Sequence, residues 1–195
     1  MKSVLLSTRP KWCEKICHEI GTDKNGKPIY EKPIEVRKTK PSIPTPFKVF
    51  IYETYDKKYD GIGICWGKGK SFEHGCKKVI GEFICDKVYP IKYQGNRYSV
   101  ADEEQSVTNE IARQSCLDYD DMVSYLGNKD GYGWHISQLK IYDKPKELRE
   151  FYKPCPTKEK GDCLSCDCLA DNDFGGICTN NLTRPPQSYM YVEEV

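Results

Sequence analysis

The sequence lacks any apolar run near the ~20 residues that a membrane-spanning helix needs. Its first apolar run ends at Leu6, only a few residues after Lys2, and Arg9 follows soon after. Such a run is too short for the apolar core of a signal peptide. These absences predict a cytoplasmic protein with no membrane partner.

An excess of charge of one sign is also missing, because 30 basic residues face 29 acidic ones and the net charge is +1. Proteins that bind long duplex nucleic acid electrostatically usually carry a strong positive excess. A local basic patch remains compatible with this balance. The glycines between Asp56 and Cys76 do not follow a phosphate-loop spacing, which excludes a nucleotide triphosphatase of that type.

Cysteine, by contrast, is abundant, with 11 residues in a chain expected in a reducing compartment. Five cluster near the C-terminus, with the spacing C-x7-C-x2-C-x1-C-x9-C. We predict a closed, structural Zn²⁺ site, since four thiolates complete a tetrahedron. A disulfide formed on oxidation and free thiols are the alternatives; no ferredoxin spacing is present. The expected ligands are Cys155, Cys163, Cys166 and Cys178, with Cys168 as an alternative to Cys166.

A charged strand, YEKPIEVRKTK from Tyr30 to Lys40, is the most informative stretch. Alternation places Ile34 and Val36 on one face of it, and Glu35 and Arg37 on the other. A surface strand with a solvated ion pair would show the same pattern. A carboxylate and a guanidinium that point together into a cleft would instead mark a functional site.

Other patterns predict a mixture of strands and helices. Pro10 to Ile20 indicates a helix with Trp12, Ile16 and Ile20 on one face. Asn25-Gly26 is a strong hairpin signal, and Asp118 is a plausible N-cap for a second helix ending at Gly127. Further elements are predicted as strands at 4–7, 34–38, 47–54, 77–89, 131–142 and 188–192, and as helices at 99–116 and 145–152.

Two polar residues stand inside these predicted strands. Glu82 interrupts the apolar run of the strand at 77–89, and His135 points away from its apolar neighbours. Conflicts between local pattern and charge tend to occur at functional sites. A solvent-facing edge strand and a structural histidine are the alternatives.

Several segments together resemble ASCH-domain proteins, a branch of the PUA-like β-barrel superfamily. Those segments are LLSTRPKWCEKI, KVIGEFICD, YLGNKDGYGWHISQLKIYDKPKEL and LTRPPQSYMYVEE, in that order. The family signature Gly-x-Lys-x-x-Glu-x-Arg is similar to the stretch with Lys32, Glu35 and Arg37, although Tyr30 stands in place of Gly. An insertion, roughly 19–29, precedes this motif. The pattern is typical of phage and prophage members from low-GC Gram-positive bacteria, and the resemblance implies that a phage-encoded protein would be found in the host cytoplasm.

The resemblance implies an α+β fold, a small mixed PUA-like β-barrel flanked by helices, with a C-terminal cysteine-rich zinc-binding insertion. We expect the barrel domain at 1–150, with a helical insertion at about 99–127. The cysteine-rich segment would span 151–181. Residues 182–195 would return to the barrel as a strand.

It also implies a binding module for RNA or a modified or signalling nucleotide, in a cleft beside the barrel. The expected ligand-binding residues are Arg9, Trp12, Lys32, Glu35, Arg37, Trp134 and His135.

Two alternatives carry different chemistry. Some small family members are amidohydrolases that deacetylate acetylated cytidine, and here Lys32, Glu35 and Glu82 would be the catalytic residues. Glu35, however, occupies the position of the family's threonine, so a hydroxyl would have to come from Ser7, Thr8 or Thr39. The other alternative is a zinc-stabilised adaptor that binds a host protein. We expect recognition in preference to hydrolysis.

Overall fold

The computed structural model describes residues 3–59, 74–101, 104–155 and 180–194. Within these ranges the chain forms twelve strands, three α-helices and one 3-10 turn. The elements are β1 (Ser3–Thr8), α1 (Pro10–Cys17), β2 (Glu19–Thr22), β3 (Pro28–Tyr30), β4 (Ile34–Arg37), β5 (Phe47–Glu53), β6 (Val79–Cys85), β7 (Val88–Tyr93), β8 (Tyr98–Val100), α2 (Gln105–Ser115), α3 (Tyr119–Leu126), β9 (Gly131–His135), β10 (Ser137–Lys146), the 3-10 turn (Leu148–Glu150), β11 (Phe151–Tyr152) and β12 (Tyr189–Glu194).

The described strands form two main sheets and a separate hairpin. The larger sheet has the order β10-β6-β5-β1-β12-β11, the smaller sheet has the order β4-β9-β7-β8, and β2 pairs with β3. The described pairings are antiparallel except that β1 and β5 run parallel. Because β6 continues almost directly into β7, and β9 into β10, the two main sheets meet at a corner and form a curled, mixed sheet. The α+β class expected from the sequence is confirmed.

Three apolar clusters stabilise this arrangement. One lies between the larger sheet and α1 and contains Ile16 and Trp134. A second includes Phe50 and Phe151, from strands of the larger sheet. A third packs β4 against α2 and α3 and includes Ile34. Strand β4 is therefore held by the helices on one face, which leaves its other face for polar side chains.

Helix α3 begins and ends as its sequence predicts. The Asp118 carboxylate accepts a hydrogen bond from the Asp121 backbone N–H at 2.7 Å, and Gly127 ends the helix with a positive φ of 69°. Met122 and Leu126 are buried against the smaller sheet. No helix within the described residues is long and apolar enough to cross a membrane.

The helix predicted to reach Ile20 is shorter than expected. Helix α1 ends at Cys17, and its buried residues are Pro10, Cys13 and Ile16. The next residues pair with β3 across the Asn25-Gly26 turn, where the Asp23 carboxylate accepts from two backbone N–H groups. The chain therefore leaves the helix after Cys17 and forms the hairpin instead, and Ile20 is 55% exposed.

Three other segments differ from their predictions. The helix predicted at 99–116 begins only at Gln105, because residues 98–100 form β8, which pairs with β7. Within the segment 145–152 only the 3-10 turn Leu148–Glu150 is helical, because the first residues extend β10 and the last form β11, which pairs with β12. The strand at 77–89 is interrupted after Cys85, and Ile80 bulges between the pairs Gly81–Ile51 and Val79–Tyr52. This bulge moves Ile80 to the same core cluster as Phe83, which alternation alone does not predict.

The last described strand joins the larger sheet beside the first one. Strand β12 pairs antiparallel with β1, with Ser3 opposite Val192 and Leu6 opposite Tyr189. It also places the segment just before it beside Ser7, whose backbone N–H donates to the Ser188 carbonyl at 2.8 Å. Residues 156–179, which contain most of the cysteine cluster, lie outside the described residues.

Candidate functional site

The polar face of β4 forms the floor of a cavity. Ile34 and Val36 join the helix-packed core, whereas Glu35 and Arg37 line the cavity, as the alternation predicts. Lys32, from the turn just before the strand, lies beside them and is 2% exposed. Glu35 is 5% and Arg37 is 6% exposed, so three charged side chains are almost completely buried together.

An ion-pair network joins these three side chains. Arg37 Nη2 lies 2.8 Å from Glu35 Oε1, and Lys32 Nζ lies 3.3 Å from Glu35 Oε2. One carboxylate therefore bridges two cations, which leaves the group with a net charge of +1. Burial without such pairing would cost several kcal/mol per ion, so loss of one partner should destabilise the native protein.

The Lys32 ammonium is held by backbone oxygens as well. Nζ donates to the Ile34 carbonyl at 2.8 Å and to the Ser115 carbonyl at 2.6 Å. Ser115 is the last residue of α2, where the helix dipole favours a cation. Burial lowers the pKa of Lys32, and the Glu35 carboxylate opposes this shift.

Arg37 connects the floor to the larger sheet. Its Nη2 donates to the Ser7 carbonyl at 2.9 Å and to the Thr8 hydroxyl at 3.2 Å, both at the end of β1. Its Nε has no hydrogen-bond partner among the described residues, and Glu35 Oε2 has none beyond its ion pair with Lys32. Orphaned buried polar atoms are rare in native proteins. Arg37 therefore carries a donor without a hydrogen-bond partner among the described residues, and it lines the cavity floor.

The cavity has a volume of about 540 Å³ and mixed walls. Trp12 forms one aromatic wall, with the Lys32 ammonium 5.2 Å and the Lys11 ammonium 4.7 Å from its ring centroid. Tyr125 forms another, and burial raises the pKa of its hydroxyl. Arg9 is exposed at the rim. The other lining residues are Ser7, Val36, Thr54, Leu117, Asp121, Ser124, Pro186, Gln187 and Ser188.

Five of the predicted site residues therefore meet in one cavity: Arg9, Trp12, Lys32, Glu35 and Arg37.

The other three predicted site residues lie elsewhere, which corrects their expected convergence. Trp134 is fully buried in the core, where its ring contacts Phe47 and Tyr189 edge-on. His135 pairs with Asp86 at 2.6 Å, at the corner between the sheets. Glu82 lies on the outer side of the larger sheet, 3.4 Å from Lys48 Nζ, so it is not beside Lys32.

Sequence reasoning missed the walls supplied by distant segments. Tyr125 comes from α3, beside the buried Leu126, and Gln187 and Ser188 come from the approach to β12. The helical period of α3 puts Met122 and Leu126 on its core face and could have placed Tyr125 at the flank of that face. No local signal indicates that residues 186–188 reach the same cavity.

Only one of the predicted zinc ligands lies within the described residues. Cys155 is half-buried, whereas Cys163, Cys166, Cys168 and Cys178 lie outside the described residues. Within the described ranges, no group of three or more His, Cys, Asp or Glu side chains could hold a metal ion. The zinc prediction therefore stays a prediction from spacing.

Of three comparisons with known proteins, the one with solved structures finds similar folds. No protein-family model matches the chain, and no curated protein matches it. The solved structure of ASCH from Zymomonas mobilis is similar, with a TM-score of 0.52 and 12% identity, over 98% of this chain and 87% of that one. A tyrosine-to-phenylalanine variant of that protein gives a TM-score of 0.53 at 12% identity, over 99% and 91% of the two chains. The expected ASCH-type fold is thus confirmed.

Proposed function

We propose that the cavity binds one nucleotide, either free or as an unpaired unit of an RNA strand. The buried Lys32–Glu35–Arg37 network carries this proposal, because Glu35 and Arg37 line the cavity floor and Arg37 Nε has no hydrogen-bond partner among the described residues. A volume of about 540 Å³ lies within the range of small-molecule sites. The ASCH-type fold is consistent with this class of ligand.

Recognition of the base would use the floor and the aromatic walls. A carboxylate oxygen accepts from an exocyclic amine, and a neighbouring guanidinium N–H donates to a ring nitrogen or carbonyl. Trp12 and Tyr125 offer ring faces for stacking, which is worth about 1–3 kcal/mol per base. Arg9, exposed at the rim, is suited to a phosphate, which arginine binds through a bidentate fork.

The same contacts argue against Lys32 as a nucleophile. A nucleophilic lysine must be neutral and must direct a lone pair at its substrate. Here the Nζ protons face two carbonyl oxygens and a carboxylate, so a neutral amine would direct its lone pair at another oxygen. The arrangement favours the charged ammonium despite the lowered pKa of Lys32.

Calorimetric titration with the four ribonucleoside monophosphates tests the proposal. We expect wild-type protein to bind at least one of them. Trp12→Ala should weaken that binding roughly tenfold, and Trp12→Phe should weaken it less, because a ring face remains. Arg9→Gln should also weaken binding and reduce its salt dependence. Neither side chain belongs to the buried floor, so the variants should stay folded.

The matched control is Tyr119→Ala, which removes an exposed ring that does not line this cavity. Absence of binding at millimolar nucleotide, or equal affinity in wild type and both Trp12 variants, would remove the proposed site.

One assay distinguishes recognition alone from hydrolysis of an acylated nucleoside. Thr8 already accepts a hydrogen bond from Arg37, and Thr39 is exposed and does not line the cavity. Ser7 lines it, but its hydroxyl donates to the Pro186 carbonyl at 2.7 Å. Ser124 also lines the cavity, so a hydroxyl is present there. We still expect acetylated cytidine to bind without being deacetylated, because the contacts of Lys32 favour its charged form. Turnover that disappears in Lys32→Met or Ser124→Ala would overturn the assignment to recognition alone.

A further inference from the structure

A second cavity adjoins the first and is not used by the proposed function. It has a volume of about 430 Å³ and is lined by Arg9, Thr54, Tyr55, Asp56, Lys57 and Lys58. Arg9 and Thr54 line both cavities, so the two share a wall. This shared wall stands where the parallel strands β1 and β5 end side by side.

The backbone around the second cavity is well fixed. The Thr54 backbone N–H and hydroxyl both donate to the Thr8 carbonyl, at 2.9 and 3.2 Å. The Asp56 backbone N–H donates to the His74 carbonyl at 2.8 Å, and the Asp56 carboxylate accepts from the Lys58 backbone N–H at 3.0 Å. The side chains of this turn are thus presented from a defined position relative to the first cavity.

The chemistry of this surface combines an aromatic ring with cations. Tyr55 is 48% exposed, and its ring lies 4.5 Å from the Lys77 ammonium and 5.6 Å from the His74 ring. Lys57 and Lys58 are exposed. The lining carries three cations and one carboxylate, Asp56, so its net charge is +2. An exposed ring among lysines is the combination that single-stranded nucleic acid binds, by stacking and by phosphate contacts.

We propose that the second cavity binds the neighbouring nucleotide of an unpaired strand, so that the ligand is a single-stranded oligonucleotide of two or more units. This inference rests on the proposed function of the first cavity. Arg9, in the shared wall, would contact the phosphate between the two nucleotides. Tyr55 would stack on the second base, and Lys57 and Lys58 would contact its outer phosphate.

Two features of the chain favour a single strand over a duplex. A base can enter the first cavity or stack on Tyr55 only when it is unpaired, whereas a duplex keeps its bases stacked inside. The overall net charge of +1 also provides no extended electropositive surface for a duplex. The lining of the second cavity carries a local net charge of +2.

Titration with a length series tests the inference: a ribonucleoside monophosphate, then the di- and tetranucleotide that contain it. In wild type, the dinucleotide should bind roughly tenfold or more tightly than the mononucleotide. Tyr55→Ala should abolish most of this gain and leave mononucleotide affinity unchanged. Lys57→Gln/Lys58→Gln should make dinucleotide binding less dependent on salt, with a log–log slope that is shallower by about 0.7 for each phosphate that the variant no longer neutralises.

Matched controls remove the same groups elsewhere. Tyr119→Ala removes an equally exposed ring, and Lys24→Gln/Lys27→Gln removes two exposed charges on the hairpin; these residues line neither cavity. Both controls should keep the wild-type gain and salt slope.

The outcomes separate the two proposals. Mononucleotide binding without any gain from length, or a gain that survives in Tyr55→Ala, would overturn the second subsite and leave the first intact. Failure of every probe to bind would overturn both. A blunt-ended RNA duplex that binds more tightly than the matching single strand would also contradict the inference.

Discussion

The substitution Glu35→Gln should strongly destabilise the protein. It keeps the size of the side chain and an amide oxygen for Arg37, but it removes the negative charge between two buried cations. Glu35 Oε1 lies 2.8 Å from Arg37 Nη2, and Oε2 lies 3.3 Å from Lys32 Nζ. Both cations have less than a tenth of their surface exposed, so water cannot replace the carboxylate.

The magnitude follows from these distances. At an effective dielectric constant of about 20, each pair contributes roughly 5–6 kcal/mol of gross Coulomb attraction. Desolvation of the carboxylate cancels part of this in the native protein. Removal of one partner of a buried pair typically costs about 3–5 kcal/mol, because the remaining charge stays buried. We expect a loss in that range, a large fraction of the stability of an average domain.

The loss should also depend on pH, with a defined sign. Burial lowers the pKa of Lys32 in the native state, and Glu35 opposes that shift. Without the carboxylate, the native pKa should fall further below its ordinary value of about 10.4. Between the native pKa and about 10.4, the unfolded chain binds more protons than the native one, so stability rises with pH. The deficit of Glu35→Gln should therefore shrink as the pH rises towards 10.

Urea denaturation followed by circular dichroism, from pH 6 to pH 10, measures both effects. The matched control is Glu110→Gln, which makes the same change in an exposed ion pair with Arg113 and should have little effect. The double variant Lys32→Met/Glu35→Gln should recover part of the loss. A deficit below about 1 kcal/mol at every pH, equal to that of Glu110→Gln, would refute the buried network.

Other consequences are more local. Burial raises the pKa of Cys17 and Cys85 to about 12, so only about one of these thiols in ten thousand is ionised at pH 8. Iodoacetamide should therefore modify both cysteines far more slowly than it modifies free cysteine. Rapid modification of either residue in peptide maps would contradict this. Gly81→Ala should cost about 1–3 kcal/mol in urea denaturation, because its Cβ would lie 2.6 Å from a backbone carbonyl of β10, whereas Gly133→Ala should cost less, since its nearest neighbour is a side-chain methyl at 3.1 Å. Elemental analysis should find about one zinc per chain, lost in Cys163→Ser; a zinc-free wild type would end that prediction.

Local pattern predicts the floor of the site well. Alternation along β4 is enough to place Glu35 and Arg37 on one face of the strand and Ile34 and Val36 on the opposite face, because the side-chain period of a strand is fixed. The cap at Asp118 and the turn at Asn25-Gly26 are equally local. Each of these features is determined by residues that are neighbours in the sequence.

Tertiary structure decides the rest. Glu82 has the pattern of a functional residue, yet the direction of its strand places it on the outer side of the sheet, with Lys48 and Tyr142. Trp134 has the ring of a stacking residue, yet it fills the core. Tyr125 and the segment before β12 reach the cavity through long-range packing, for which the sequence carries no periodic signal.

Ultraviolet crosslinking of a short single-stranded RNA, with the crosslinked peptides mapped by mass spectrometry, tests the location of binding most directly. A competing surface exists on the outer side of the larger sheet, where four lysines and two acidic residues line a pocket together with Tyr142. Crosslinks at Trp12 or Tyr125 that disappear with excess mononucleotide are the predicted result. Crosslinks confined to the strand that carries Tyr142 would contradict the proposal that the Lys32–Glu35–Arg37 cavity is the binding site.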